Sequence, residues 1–288
     1  MFRLITICIL IAATSRLTAT VVENFDGYSY GSTSDAFATT SGGTSNSNDG
    51  PWKKWNGTAV LQSTSLVNIN SDNDVDFYLR CGYTGGDRGA YRDLVDINSN
   101  YKIEENTKGS FEFSFRVLSH SNDNINNDLY YGIGYESSPT DGKNSFVAGI
   151  NLVHDETSGE LKLHAFNGGD MSTPSGTYDY GEWYHVALSI DHGANTYSVY
   201  VREDGNPYGD AILTDIDFNS NGAAKDIGDG SLSTFMVLAD DISANSFAHL
   251  DNVGHSANLI PEVNNFSLLI GLGLLTACIT NRKLSVRP

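Results

Sequence analysis

Cysteine is scarce in this sequence, and its placement limits the chemistry open to the folded part. The 288 residues include three cysteines, Cys8, Cys81 and Cys278. The first and last lie in apolar segments near the two ends, so residues 21–260 contain Cys81 alone. A single cysteine excludes both an internal disulfide and a cysteine-ligated zinc site in that region. A domain of this length has to rely on its hydrophobic core, and it is large enough to do so.

Basic residues are also few. The chain has 17 Lys and Arg against 35 Asp and Glu, a formal net charge of -18. The end segments hold five of the basic residues and one acidic residue, so residues 21–260 hold 12 basic and 34 acidic residues, a net of -22. Such a region repels phosphate backbones and anionic lipid surfaces and attracts divalent cations. We therefore predict no nucleic-acid partner.

Sustained helical periodicity is missing, and proline (6) is rarer than glycine (29). The pattern that is present alternates with a period of two: Phe111, Phe113 and Phe115 share one face of residues 109–118. A hairpin is predicted over 145–166, with its turn at 155–159. Other predicted strands cover 75–81, 89–94, 129–135, 183–190, 195–201, 232–238 and 247–253. About ten short strands with polar turns predict an all-β fold, a two-sheet antiparallel β-sandwich of the jelly-roll type.

Both ends carry apolar segments of the kind that engage membranes. Residues 1–20 begin Met1-Phe2-Arg3, continue with an apolar run over 4–13 and end in small residues, which predicts a secretory signal peptide. Residues 266–280 form a second apolar run, followed by Arg282 and Lys283. Fifteen helical residues reach about 22 Å against the roughly 30 Å of a hydrocarbon core, so this transmembrane helix would be short. The basic residues after it would stay cytoplasmic, which places the middle of the chain outside the membrane.

The C-terminal segment also carries a recognisable motif. Pro261 and Glu262, a polar spacer, the Gly-Leu-Gly-Leu-Leu helix and the pair Arg282 and Lys283 resemble the PEP-CTERM sorting signal of Gram-negative bacteria. Val263 and the thin basic cluster depart from that pattern. The resemblance implies an exosortase-type sorting enzyme as a partner, transient anchoring in the cytoplasmic membrane, and a location in the cell envelope, on the outer surface or in an extracellular matrix rich in polysaccharide. A plain C-terminal membrane anchor is the alternative. The predicted organisation is a signal peptide (1–20), a β-sandwich (21–256), a linker (257–265) and a sorting helix with its basic tail (266–288).

A second resemblance concerns the β domain. Trp183-Tyr184-His185-Val186-Ala187-Leu188, followed by Tyr197-Ser198-Val199-Tyr200-Val201, is similar to a strand pair of laminin G-like and concanavalin A-like jelly rolls. The opening segment 23–28 and the closing segment 250–253 resemble the paired first and last strands of such domains. The resemblance implies a structural calcium ion where those strands meet, which nominates Asp26 and Asp251. Two solvated turn acids are the alternative.

A second calcium candidate comes from spacing. Asp217, Asn219 and Asn221 supply oxygen atoms at positions 1, 3 and 5 of a loop whose position 6 is Gly222. Position 12 is Gly228 instead of an acid, so an Asn- and Gly-rich turn is the competing interpretation.

No catalytic residues can be nominated from the sequence. The Gly27–Gly31 segment matches G-x-S-x-G but lacks the strand–helix context of a nucleophile elbow, and neither E-x-D-x-x-E nor H-E-x-x-H occurs. Exposed aromatic side chains bind sugar rings, which nominates Trp52 and Trp55, or Tyr131 and Tyr135 on one face of a strand, although core packing explains either pair. We expect a non-catalytic protein that binds extracellular polysaccharide or has a structural role. A polysaccharide hydrolase or lyase with a site built from dispersed residues is the alternative.

Overall fold

The computed structural model describes residues 20–23, 53–55, 79–83, 88–119, 128–135, 142–155, 157–221, 230–240 and 246–257. These residues form fifteen strands and two 3₁₀ helices, Leu94–Asp96 and Gly142–Ser145, with no α-helix among them. In chain order the strands are β1 (Thr20–Glu23), β2 (Lys53–Trp55), β3 (Leu79–Tyr83), β4 (Arg88–Asp93), β5 (Lys108–Ser119), β6 (Asp128–Gly134), β7 (Ala148–Asp155), β8 (Glu160–Asn167), β9 (Asp170–Met171), β10 (Ser175–Tyr178), β11 (Tyr184–Asp191), β12 (Thr196–Glu203), β13 (Leu213–Asp217), β14 (Thr234–Asp240) and β15 (Ser246–Ser256).

The strands form two sheets. The seven-stranded sheet has the order β1-β15-β5-β11-β12-β13, with β3 also paired to β15. The eight-stranded sheet has the order β10-β8-β7-β6-β14-β4-β2, with β9 also paired to β8. Every described pair is antiparallel. This architecture confirms the predicted all-β, two-sheet antiparallel sandwich.

The main core lies between the sheets and follows the period-two pattern of the sequence. Phe111, Phe113 and Phe115 of β5 are at most 1% exposed, as the alternation predicts. The Phe113 ring stacks on Tyr131 of β6, with centroids 5.6 Å apart and an interplanar angle of 15°. Each fully buried side chain of this size contributes about 1.5–3 kcal/mol through loss of contact with water. This core therefore holds the two sheets together.

The first and last described strands pair with each other at one edge of the seven-stranded sheet. β1 pairs with β15 through Thr20↔His255 and Val21↔Gly254. Of the predicted opening segment 23–28 only Glu23 is described; it pairs with Val253, and residues 24–28 lie outside the described residues. β15 contains a bulge between Asp251 and Gly254, and Asn252 in it has a φ of 50°.

Other predicted elements differ in extent. The hairpin forms as β7 and β8, but its predicted first residue, Ser145, ends the 3₁₀ helix Gly142–Ser145, and β7 begins at Ala148. Strand β3 begins at Leu79, later than the predicted 75. Five strands were not predicted, namely β1, β2, β9, β10 and β13, and each has at most five residues. Such short runs carry little periodic signal.

Several predictions fall outside the described residues. They concern the signal peptide apart from Thr20, the apolar run 266–280, and Trp52, Asp26, Pro261, Glu262, Arg282 and Lys283. Within the described ranges, no helix has the length and apolar character needed to cross a bilayer.

A second group of buried apolar residues lies on the outer face of the eight-stranded sheet. We call it the outer apolar layer; its members are Tyr91, Tyr130, Phe146, Phe166, Met236 and Leu238. Along β6, Leu129, Tyr131 and Ile133 enter the main core, so Tyr130 projects from the opposite face. Gly132 leaves room for this layer, because a Cβ atom there would lie 2.3 Å from the Ala148 carbonyl oxygen and 3.1 Å from the Phe146 ring.

Candidate functional site: a pocket on the eight-stranded sheet

A pocket of about 200 Å³ opens at one edge of the outer apolar layer. Three chain segments form its walls: the 3₁₀ helix Gly142–Ser145, the turn between β8 and β9, and the segment 219–221 after β13. Its described lining combines an apolar group with a polar one: Tyr130, Phe166 and Met171, and Lys143, Asn144, Gly169, Asp170, Asn219 and Asn221. The pocket is therefore amphipathic.

The floor of the pocket is aromatic. The Tyr130 and Phe166 rings stack with centroids 5.7 Å apart, and Phe146 lies 5.6 Å from Phe166 and 6.1 Å from Tyr130. Tyr130 is 2% and Phe166 4% exposed. The rings therefore offer limited edges to a ligand and owe most of their contacts to one another.

One wall is fixed by the buried side chain of Asn219. Its Nδ2 donates to the Phe146 carbonyl oxygen at 2.9 Å and reaches the Lys143 carbonyl oxygen at 3.5 Å. Its Oδ1 accepts from the Asn221 backbone N–H at 3.0 Å. The segment after β13 is thus attached to the 3₁₀ helix that carries Lys143.

The same segment is attached to the β8–β9 turn on its other side. Asn221 Nδ2 donates to the Gly169 carbonyl oxygen at 2.8 Å, and the Ser220 N–H donates to the Gly168 carbonyl oxygen at 2.9 Å. Gly168 has a φ of 61°, which a glycine adopts without steric cost and which the tight turn requires. Because three segments are joined by hydrogen bonds, the walls of the pocket are preformed.

Asn219 and Asn221 of the predicted calcium loop form part of this wall. Asn219 is 5% exposed and directs its amide to Phe146, whereas Asn221 directs its amide to Gly169. Calcium requires six to eight oxygen ligands around one point. Residues 222–228 of the loop lie outside the described residues, so its calcium site stays a prediction, with an Asn- and Gly-rich turn as the alternative. No cluster of three or more His, Cys, Asp or Glu side chains suited to a metal ion occurs in the described ranges.

The other predicted calcium site is described only in part. Asp251 is 5% exposed, and its carboxylate accepts from the Asn252 backbone N–H at 2.7 Å and from Asn252 Nδ2 at 3.0 Å. Its predicted companion Asp26 lies outside the described residues. A structural calcium ion between the first and last strands therefore stays a prediction.

Tyr131 and Tyr135, two of the predicted sugar-binding residues, are not among the described residues that line the pocket. Tyr131 is 2% exposed in the main core, and Tyr135 is half-buried with its ring 5.7 Å from that of His192. Trp55 lies in β2. Sequence reasoning missed Tyr130 and Phe166. Strand alternation could have indicated Tyr130: Leu129 and Ile133 lie on the same face as Tyr131. Tyr130 must then lie on the opposite, outer face.

A hydrogen-bonded chain of Ser114, His185 and Asp204 lies on the outer face of the seven-stranded sheet. Ser114 Oγ is 2.7 Å from His185 Nδ1, and His185 Nε2 is 2.9 Å from Asp204 Oδ1. The order of residues is that of a hydrolase triad, but Ser114 is 1% exposed. Its strand β5 also pairs with β11 and β15 on both sides, which occupies the backbone N–H groups that an oxyanion hole would need. The three side chains link β5 and β11 to Asp204, which directly follows β12.

Paired carboxylates would favour glycoside hydrolysis, since that reaction needs two of them across one cleft. Among the described residues that line the pocket, Asp170 is the only acid and Lys143 the only base.

Comparison with known proteins gives similarity of structure alone. No protein-family model matches the sequence, and no curated protein matches it. Peanut lectin has 10% identity and a TM-score of 0.45, over 75% of this chain and 95% of that one. The exoplasmic/lumenal domain of VIP36, in a Ca²⁺/Man3GlcNAc-bound form, has 11% identity and a TM-score of 0.45, over 75% and 87%. A carbohydrate esterase from the Shiga toxin-encoding bacteriophage phi24B has 15% identity and a TM-score of 0.44, over 72% and 90%. At such values the likeness carries no argument about ligand or activity.

Proposed function

We propose that this chain is an exported, non-catalytic protein that binds extracellular polysaccharide through the pocket on the eight-stranded sheet. One observation supports the proposal above all: a preformed pocket that joins an aromatic floor to a rim of amides and a carboxylate. Sugar rings present C–H faces and edges together with hydroxyl groups, so they need both kinds of surface.

The polar rim has groups for hydroxyl recognition. Asp170 is exposed at the start of β9, and its carboxylate can accept hydrogen bonds from two hydroxyls. Asn221 uses its Nδ2 on the Gly169 carbonyl oxygen, which orients the side chain. Because this side chain is already oriented in the free protein, ligand binding loses less conformational entropy at the rim.

The location of the protein is proposed from its ends. The signal-like residues 1–20 support export, and Pro261, Glu262 and the basic pair Arg282 and Lys283 support recognition by an exosortase-type enzyme while the apolar helix sits in the cytoplasmic membrane. Intact-mass analysis of the protein recovered from its own cells tests this. Chains that lack the signal-like residues and end near Pro261 support sorting, whereas a chain that keeps residues 266–288 supports a plain anchor.

Pocket filling tests the binding function. Gly169 has no left-handed φ, and a Cβ atom there would begin 3.7 Å from Asn221 Oδ1, so Gly169→Val adds a side chain to the lining without backbone strain. Gly209→Val is the matched control, since nothing lies within 4 Å of its Cβ position. We expect Gly169→Val to abolish retention on a glycan array and Gly209→Val to retain it.

Assay of the same glycan-array wells for reaction products distinguishes binding from catalysis. We expect bound glycans without new reducing ends or unsaturated products. Release of either product by the wild-type chain would establish the hydrolase or lyase alternative and refute the non-catalytic function. Equal retention of both glycine variants would show that glycans bind away from this pocket.

A further inference from the structure

Lys143 differs from the other lysines whose side chains the structure describes. Lys102 pairs with Glu104 at 2.6 Å, Lys108 pairs with Asp191 at 2.5 Å, and Lys162 pairs with Asp155. Lys143 is exposed, lines the pocket and makes no ion pair within the described part of the chain. Its ammonium group is therefore the one lysine charge in this set that is not already neutralised.

The position of Lys143 is set by its backbone. Its carbonyl oxygen accepts from the Phe146 N–H at 3.3 Å and is reached by Asn219 Nδ2 at 3.5 Å. These contacts fix the Cα atom beside the pocket, while the flexible side chain leaves the ammonium group free to meet a ligand.

The negative charge of the rest of the domain makes the Lys143 ammonium group a guide to the charge of the ligand. Residues 21–260 have a net charge of -22, so the domain as a whole repels anions. A neutral sugar needs no cation, and hydroxyls are satisfied by amides and carboxylates alone. Asp170, the acid in the same lining, would repel a second anionic group on a ligand. The lining therefore suits a ligand with one negative charge, placed beside Lys143 and away from Asp170.

The volume restricts the size of that ligand. The pocket has about 200 Å³, below the roughly 300–1,000 Å³ of pockets that enclose drug-sized ligands. A single sugar ring suits this space better than several rings. A ring bound in this way would come from the end or a side branch of a polysaccharide.

We propose that the pocket binds one uronic acid residue at a chain end or branch, with its carboxylate in contact with the Lys143 ammonium group. This proposal rests on the proposed function, since it names the class of sugar that the same pocket takes. The carboxylate accepts from the ammonium group, while the ring hydroxyls donate to Asp170.

Paired monosaccharides test the proposal on the purified mature protein. Calorimetry is performed with the methyl glycosides of glucuronic and galacturonic acid and with the neutral methyl glucoside and galactoside, which lack the carboxylate. We expect an acidic glycoside to bind more tightly than its neutral counterpart and this preference to weaken with rising ionic strength. Lys143→Gln should reduce affinity for the acidic ligand about three- to fivefold and reduce affinity for its neutral counterpart by less, so that the acidic preference is lost. Lys102→Gln, which changes net charge equally away from the pocket, should have no effect.

The outcomes separate this proposal from the function on which it rests. Equal affinity for acidic and neutral rings, or an unchanged affinity in Lys143→Gln, would overturn the uronic acid proposal while sugar binding stands. An acidic preference that survives in Gly169→Val would overturn it too, because the ligand would then bind elsewhere. Absence of binding by all four glycosides and by the polysaccharides of the glycan array would overturn the proposed function itself.

Discussion

The side-chain amide of Asn219 donates a hydrogen bond to the backbone carbonyl of Phe146, 2.9 Å away and 73 positions earlier in the chain. Both residues are buried. The bond joins the segment after β13 to the end of the 3₁₀ helix that carries Lys143. One buried amide thus connects the outer apolar layer, where Phe146 packs, to the wall of the pocket.

Removal of this amide should lower both stability and sugar binding. Asn219→Ala leaves the Phe146 carbonyl oxygen without that donor and the Asn221 N–H without its acceptor, which we expect to cost about 1–3 kcal/mol of unfolding free energy. Urea denaturation measures this. Asn206→Ala is the control, because Asn206 is exposed and its Nδ2 meets Glu203 at 3.4 Å. Equal stability of the two variants would show that the Asn219 bonds contribute nothing.

A hydroxyl from the opposite sheet supports the pocket from below. Tyr197 Oη of β12 donates to the Phe166 carbonyl oxygen at 2.6 Å, with the Gly149 carbonyl oxygen also within reach at 2.9 Å. Burial raises the pKa of Tyr197. We therefore expect Tyr197→Phe to cost about 1–2 kcal/mol by denaturation. Tyr208→Phe is the control; its hydroxyl is 3.5 Å from Glu112, a weaker contact. A smaller loss in Tyr197→Phe than in Tyr208→Phe would contradict this account.

Two histidines should make the domain less stable in mild acid. Burial lowers the pKa of His185 and of His255 below their ordinary value of 6.5, although a hydrogen bond to Asp204 opposes this at His185 and one to the Lys102 carbonyl oxygen opposes it at His255. Just below pH 6.5 the two histidines are therefore protonated more in the unfolded chain than in the folded one. The free energy of unfolding then falls as the pH drops through about 6.5. Above about pH 6.5 both histidines are neutral in either state, and their contribution to the free energy of unfolding is fully present.

Urea denaturation at a series of pH values measures this slope. We expect His185→Gln to flatten the decline between about pH 7 and pH 5, because glutamine does not titrate. The variant is compared with wild type through slopes and not through absolute stability, since the Ser114 contact is also altered. An unchanged slope would show that His185 does not contribute to the acid sensitivity.

Sequence alternation was sufficient for the core but not for the pocket. Phe111, Phe113 and Phe115 followed a strict period of two, and the structure buries all three. Tyr131 followed the same rule and belongs with them, because its neighbours two positions away, Leu129 and Ile133, are also core residues. Tyr131 was predicted either to bind sugar or to pack in the core, and its exposure of 2% agrees with the second role. The sequence leaves both roles open because aromatic residues serve cores and binding faces equally well.

The pocket itself could not be predicted, since its walls come from segments far apart in the sequence. Lys143, Gly169 and Asn219 line one pocket because β7 begins, and β8 and β13 end, on the same side of the sandwich. The spacing of Asp217, Asn219 and Asn221 identified a segment that contributes to the wall of the pocket. In the structure the two asparagine amides donate to neighbouring carbonyl groups, as an Asn-rich turn would, and calcium binding by this loop stays a prediction.

The two calcium predictions can be separated by one experiment. Thermal unfolding is measured with calcium and with chelator for wild type, Asp217→Asn and Asp26→Asn. Asp217 lies in a segment whose amides are committed to internal bonds, so we expect Asp217→Asn to leave any calcium response unchanged. The jelly-roll resemblance predicts that calcium raises the midpoint by binding the folded state, and that Asp26→Asn removes this rise. Loss of the response in Asp217→Asn would restore the loop as the site. A wild-type midpoint that is the same with calcium and with chelator would remove both sites, and the aspartates would then serve as turn and surface residues.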